Sequence, residues 1–77
     1  MPTSLDKMKK GSRGRVVGIA GGRGVILKLS AQGIAPGMVV QKVSQLRGGP
    51  VLLKVGGCQV AVGLGLARRV FVEVVDA

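Results

Sequence analysis

Histidine, tryptophan and tyrosine are absent from this 77-residue chain, and cysteine and phenylalanine occur once each. Acids are scarce as well: Asp6, Glu73 and Asp76 lie toward the two ends, against 12 lysines and arginines. Each shortage excludes something. Without histidine, tyrosine or paired carboxylates, the chain cannot assemble an acid–base pair or an activated nucleophile. Nothing places a lysine beside Ser30 or Ser44, so no Ser-Lys device is expected and the chain reads as a non-enzyme. One thiol and dispersed carboxylates cannot cage a transition metal within a single chain, so no metal ligands and no cofactor are expected. Cys58 has no disulfide partner and is expected to be a packed or partly covered thiol in a reducing compartment. A lone aromatic, Phe71, argues against a base-stacking surface and excludes an aromatic groove for proline-rich peptides. Long apolar runs are missing too. The longest uncharged run holding an apolar stretch, Val55 to Ala67, falls short of the roughly 20 residues a helical membrane span needs. No apolar segment follows Lys7, Lys9 and Lys10, so the start does not read as a signal peptide and a cytoplasmic chain is expected.

What remains is a small, basic, glycine-rich and aliphatic sequence. Its net charge of +9 serves solubility and also draws anionic partners: nucleic acid, an acidic protein face or an anionic membrane surface. At this length stability rests on a compact Val/Leu/Ile core, with self-association as a further expectation. Lys9, Lys10, Arg13, Arg15 and Arg23 form a candidate edge for nucleic-acid phosphates. Gly18 to Gly24 superficially resembles a phosphate loop, but it lacks the Gly-Lys-Ser/Thr ending and any βαβ context. It reads as a strand-to-helix connection.

Turn chemistry organises the rest. Residues 1–12 read as a polar, loosely attached N-terminal arm, with Leu5 and Met8 as docking points, and residues 13–77 as the folded domain. A β-run covers Arg15 to Ala20. A two-turn helix covers Val25 to Gln32, with Val25, Ile26 and Leu29 as its apolar stripe. Gly33 suits the left-handed C′ position, Leu29 and Ile34 the apolar pair of a Schellman motif, and Pro36-Gly37 the centre of a type II turn. Met38 to Leu46 reads as a strand in which a bulge could shift the alternation. Val51 to Val55 and Cys58 to Val62 form a hairpin across Gly56-Gly57, where a type I′ turn needs two positive φ angles. Gly63 to Ala67 reads as a short turn of 3₁₀ type. Val70 to Val75 closes the sheet, with Val70, Val72 and Val74 on one face and Phe71 and Glu73 on the other. Links this short admit only antiparallel pairing, so the expected fold is mainly β: a small antiparallel barrel of about five strands with one short helix. The ring of Phe71 is expected to lie under the N-terminal arm, with an outward partner contact as the alternative. Leu64 and Leu66, bracketed by glycines, raise the same question.

Leu29-x-x-x-Gly33-Ile34-x-Pro36-Gly37, Gly49-Pro50, Val55-x-Gly57, Val60-Ala61-Val62-Gly63 and Ala67-x-x-Val70-x-Val72 follow Leu5, Gly11, Gly14, Val16 and Ile19 in a distinctive order. In this respect the chain resembles the small ferrous iron transport protein A (FeoA) family over nearly its whole length. It departs from the family's common pattern at Gly49 and at Val62-Gly63, both turn or surface positions. The resemblance implies an SH3-like barrel, a domain type also found at the C-terminus of repressors related to diphtheria toxin repressor. It further implies a cytoplasmic accessory role in bacterial ferrous iron uptake, at the cytosolic face of the FeoB membrane GTPase-permease. Candidate partner contacts are Leu64, Leu66, Phe71, Lys9, Lys10, Arg68 and Arg69. Gly33, Pro36, Gly37, Gly56, Gly57 and Ala67 are expected to be architectural. A basic barrel that binds RNA or DNA phosphates is the alternative.

Overall fold

Glycine and proline cut the chain into segments too short to hold their own conformation, and a single sheet unites them. The structure, a computed structural model, describes residues 1–76, Asp76 by its backbone alone. In chain order the elements are β1 (Thr3–Ser4), a 3₁₀ turn (Leu5–Lys7), β2 (Arg13–Ile19), α1 (Arg23–Ala31), β3 (Val39–Gln45), β4 (Val51–Val55), β5 (Cys58–Val62), α2 (Leu64–Ala67) and β6 (Val70–Asp76). The sheet runs β1-β6-β2-β3-β4-β5, and every pairing is antiparallel. The first and last strands therefore lie side by side.

The α1–β3 corner forms by local chemistry. Ile34 donates to the Leu29 carbonyl at 3.0 Å and Gly33 to the Ser30 carbonyl at 2.9 Å, the two bonds of a Schellman ending. Gly33 has φ +83°, and a Cβ there would meet Val55 Cγ1 at 3.2 Å, so glycine also lets the corner lie close on β4. Met38 then donates to the Ala35 carbonyl at 3.1 Å across Pro36-Gly37, closing the expected turn. The β4–β5 hairpin pairs Val55 with Cys58 across Gly56 and Gly57, whose φ angles are +56° and +93°.

Register shifts mark bulges in β2 between Val16 and Gly18, and in β3 between Lys42 and Ser44. Bulges bend and twist strands, which is how one sheet wraps around a core of Leu5, Val16, Leu29, Ile34, Leu53 and Val72.

Several expectations are corrected. The expected small antiparallel barrel has a sixth strand, because Thr3–Ser4 joins the sheet: Thr3 pairs with Val72 and Ser4 with Phe71. Leu5 and Met8 do dock, as full members of the core at 0% and 4% exposure. Residues 64–67 form one turn of α-helix rather than a 3₁₀ turn, since Ala67 donates to the Gly63 carbonyl and Arg68 to the Leu64 carbonyl. Val74, in phase with buried Val70 and Val72, is exposed because β1 covers β6 only as far as Val72, although β2 still pairs with Val74 through Gly14. Phe71 is not covered by the N-terminal segment, which pairs with its backbone and leaves the ring partly in solvent. Cys58 is exposed, because it flanks the tip of a hairpin that stands clear of the core.

Candidate docking surface

Helix α1 turns only one narrow stripe inward. Leu29 is fully buried and Val25, one turn earlier, packs against the core. Ile26 does not join them: it is 42% exposed, and its neighbour Leu27 is 61% exposed. Arg23 and Lys28 are also exposed on this helix. A two-turn element thus carries two large aliphatic side chains in water, within a basic surround. Sequence periodicity placed Ile26 in the core because it lies three residues before Leu29. The barrel is too narrow to cover more than the Val25/Leu29 line.

The seven predicted contact residues do not gather into one patch. Ala67 is fully buried and fixes α2, Leu66 packs against the core, and Leu64 is half-buried, so this helix turns its leucines inward more than outward. Arg68 and Arg69 are exposed at its end. The Arg68 Nε stands 3.9 Å from Asp6 Oδ2, a weak surface pair. Arg69 accepts at its carbonyl from the Ala20 N–H at 2.7 Å, and its guanidinium runs beside Gly21, next to the start of α1. Phe71 pairs with Gly18 near the start of β6. Lys9 and Lys10 are exposed elsewhere, on the turn before β2, where they line a groove with Val74.

Behind this turn lies a residue that sequence reasoning missed. Lys42 points inward from β3 and is 3% exposed. Its Nζ lies 3.2 Å from the Leu5 carbonyl, 3.0 Å from that of Asp6, 2.7 Å from that of Met8 and 2.6 Å from Gln45 Oε1. Those carbonyls belong to the 3₁₀ turn and the residue after it; Leu5 also accepts from the Met8 N–H at 3.3 Å, while a short helical turn leaves its last carbonyls without intrahelical partners. Burial lowers the ammonium's pKa below the ordinary 10.5, and the charge of Asp6 opposes that drop. Asp6 in turn accepts from the Ser4 hydroxyl. The strand's alternation did carry a signal, since Lys42 is in phase with Val40. Its three carbonyl acceptors, however, are more than thirty positions away in sequence.

Among the described residues no group of three or more cysteines and carboxylates could hold a metal ion, and no helix is long and apolar enough to cross a membrane. A family model described as the FeoA domain matches residues 3–74. The chain belongs to the FeoA family. It is similar to an iron uptake regulatory protein (FeoA) of known crystal structure, at 39% identity over 97% of this chain and 100% of that one, with a TM-score of 0.93. A FeoA-like protein from Clostridium acetobutylicum is 23% identical over 99% of this chain and 90% of its own, with a TM-score of 0.86. A manganese-dependent transcriptional repressor shares the fold at 16% identity and a TM-score of 0.88, matched over 96% of this chain and 42% of the repressor. No curated protein matches the chain. These likenesses establish the mainly β, SH3-like architecture of the FeoA family.

Proposed function

We propose that this FeoA-family protein is an accessory factor of bacterial ferrous iron uptake that binds the cytosolic face of a FeoB-type GTPase-permease. The observation that carries the reading is the end-to-end likeness to an iron uptake regulatory protein, at 39% identity over 97% of this chain. What the molecule offers a partner agrees with it: a rigid small barrel bearing exposed Ile26 and Leu27, with Arg23 and Lys28 on the same helix. Exposed aliphatic residues on a rigid element suit hot-spot contacts, and the surrounding cations suit electrostatic steering. Arg69, whose guanidinium lies beside Gly21 just before α1, extends this surface, and Phe71 is a separate candidate contact on β6. Leu64 and Leu66 serve it by supporting α2.

The test is titration of the transporter's soluble cytosolic region with the wild type and with Leu27→Asp, together with iron-uptake complementation in cells lacking the protein. The substitution sits on a side chain more than half exposed, so the fold should survive. Affinity should fall at least about tenfold. Unchanged affinity would remove α1 as the docking element, and failure to restore uptake by the wild type would remove the iron-uptake reading itself.

Nucleic acid is the second reading, favoured by Arg13, Gln41 and Lys54, which register across β2, β3 and β4 on the outer face of the sheet. A steep salt dependence of binding to random oligonucleotides would support it.

A further inference from the structure

The misfit of Val74 marks a second surface. Val70 and Val72 of the same face are fully buried, yet Val74 is 52% exposed, and Val75, the extra residue where the β2–β6 register shifts, is 43% exposed. β1 covers β6 only at Phe71 and Val72, so beyond Val72 no strand among the described residues pairs with that edge of β6. An open edge with exposed valines offers main-chain donors and acceptors to an incoming strand. Beside it opens a groove of about 690 Å³, whose apolar part is Met8, Val74 and Met1 and whose rim carries Lys7, Lys9 and Lys10. Ser12 Oγ donates to the Lys9 carbonyl at 2.6 Å, and Gly11 donates to the Lys42 carbonyl at 2.7 Å, so the lysine-bearing turn is tied down. Of the carboxylates whose side chains are described, Asp6 is engaged by Ser4 and Arg68. None is paired with the three rim lysines.

We infer that this groove docks an extended acidic segment of another protein. The segment lies along the open edge of β6, sets an apolar side chain over Met8 and Val74, and turns its carboxylates toward Lys7, Lys9 and Lys10. Each part of the groove selects for that chemistry. The edge needs backbone partners, which a lipid tail lacks. The apolar floor has no aromatic ring on which a base could stack. A second copy of this chain would bring another net charge of +9 against the same lysines. The inference is independent of the iron-uptake reading, because the groove and α1 are different surfaces.

Amide chemical shifts of the isotopically labelled full chain would be followed during titration with a short peptide bearing one leucine amid aspartates and glutamates. Three probes run alongside: the same peptide with glycine for leucine, phosphatidylglycerol vesicles, and a random oligonucleotide. Shifts should map to Thr3, Lys7, Lys9 to Ser12 and Val74 to Val75. Affinity should fall at least about tenfold in the double variant Lys9→Glu, Lys10→Glu and by a similar factor for the glycine peptide. Val74→Asp should also weaken binding, and if that variant loses amide dispersion the lysine pair and the glycine peptide still decide. Equal binding of the glycine peptide, shifts centred on α1, or a silent acidic peptide beside binding vesicles or oligonucleotide would each overturn the inference.

Discussion

An ammonium has three hydrogens, and Lys42 sets them among four oxygens supplied by residues 5 to 8 and by Gln45. The side chain therefore acts as an internal cation that closes the carbonyl end of the 3₁₀ turn, which a surface turn would leave to water. Replacing it with methionine keeps an unbranched chain one atom shorter and removes every donor. Lys42→Met should cost about 3 kcal/mol of stability by urea unfolding, since buried acceptors would lose charged partners. The pH dependence has a definite sign. The folded-state pKa lies below the unfolded value, so between the two the unfolded chain binds more protons and this group's contribution to stability rises with pH. The stability gap between wild type and Lys42→Met should widen as the pH rises toward the ordinary lysine value of 10.5. A gap that narrows would show that the four acceptors outweigh burial in setting the pKa.

Among the elements, β2 and β6 meet closely at Gly14. A Cβ there would stand 3.0 Å from both Cβ and Cγ2 of Val72 and 3.3 Å from the Glu73 carbonyl. Gly14→Val should thus separate the two strands and destabilise by about 2 kcal/mol, read as a lower urea midpoint. Sequence reading treated Gly14 as the boundary of a strand, whereas it sits within one. The contrast with the α1–β3 corner is instructive. That corner was legible because its bonds join residues within six positions, and proline and glycine each have one conformational use there. The Gly-Gly hairpin was legible for the same reason. β1, the carbonyl acceptors of Lys42 and the exposure of Val74 depend on which strands lie side by side, and no local pattern encodes that. The site divides likewise: the basic character of Lys9, Lys10, Arg68 and Arg69 follows from composition. That Ile26 and Leu27 face water follows only from how narrow a stripe of α1 the barrel can cover.

At the scale of the whole molecule, charge works against compactness. Folding gathers a net +9 onto a body with a radius of gyration of 10.8 Å, close to the Debye length of about 10 Å at 0.1 M salt. The melting temperature should rise as sodium chloride is increased from about 0.05 to about 0.5 M, by a few degrees, because screening relieves self-repulsion. The double variant Lys9→Glu, Lys10→Glu should show a shallower rise in the same scan. The β1–β6 pairing has its own consequence during synthesis. Thr3 and Leu5 leave the ribosome well before Val72 and its neighbours, which define their places. Until then the α1 corner and the β4–β5 hairpin can form, while the first strand waits as an unpaired thread. The sheet therefore closes only once β6 has emerged, and any extension fused ahead of Met1 would lie beside the open edge of β6.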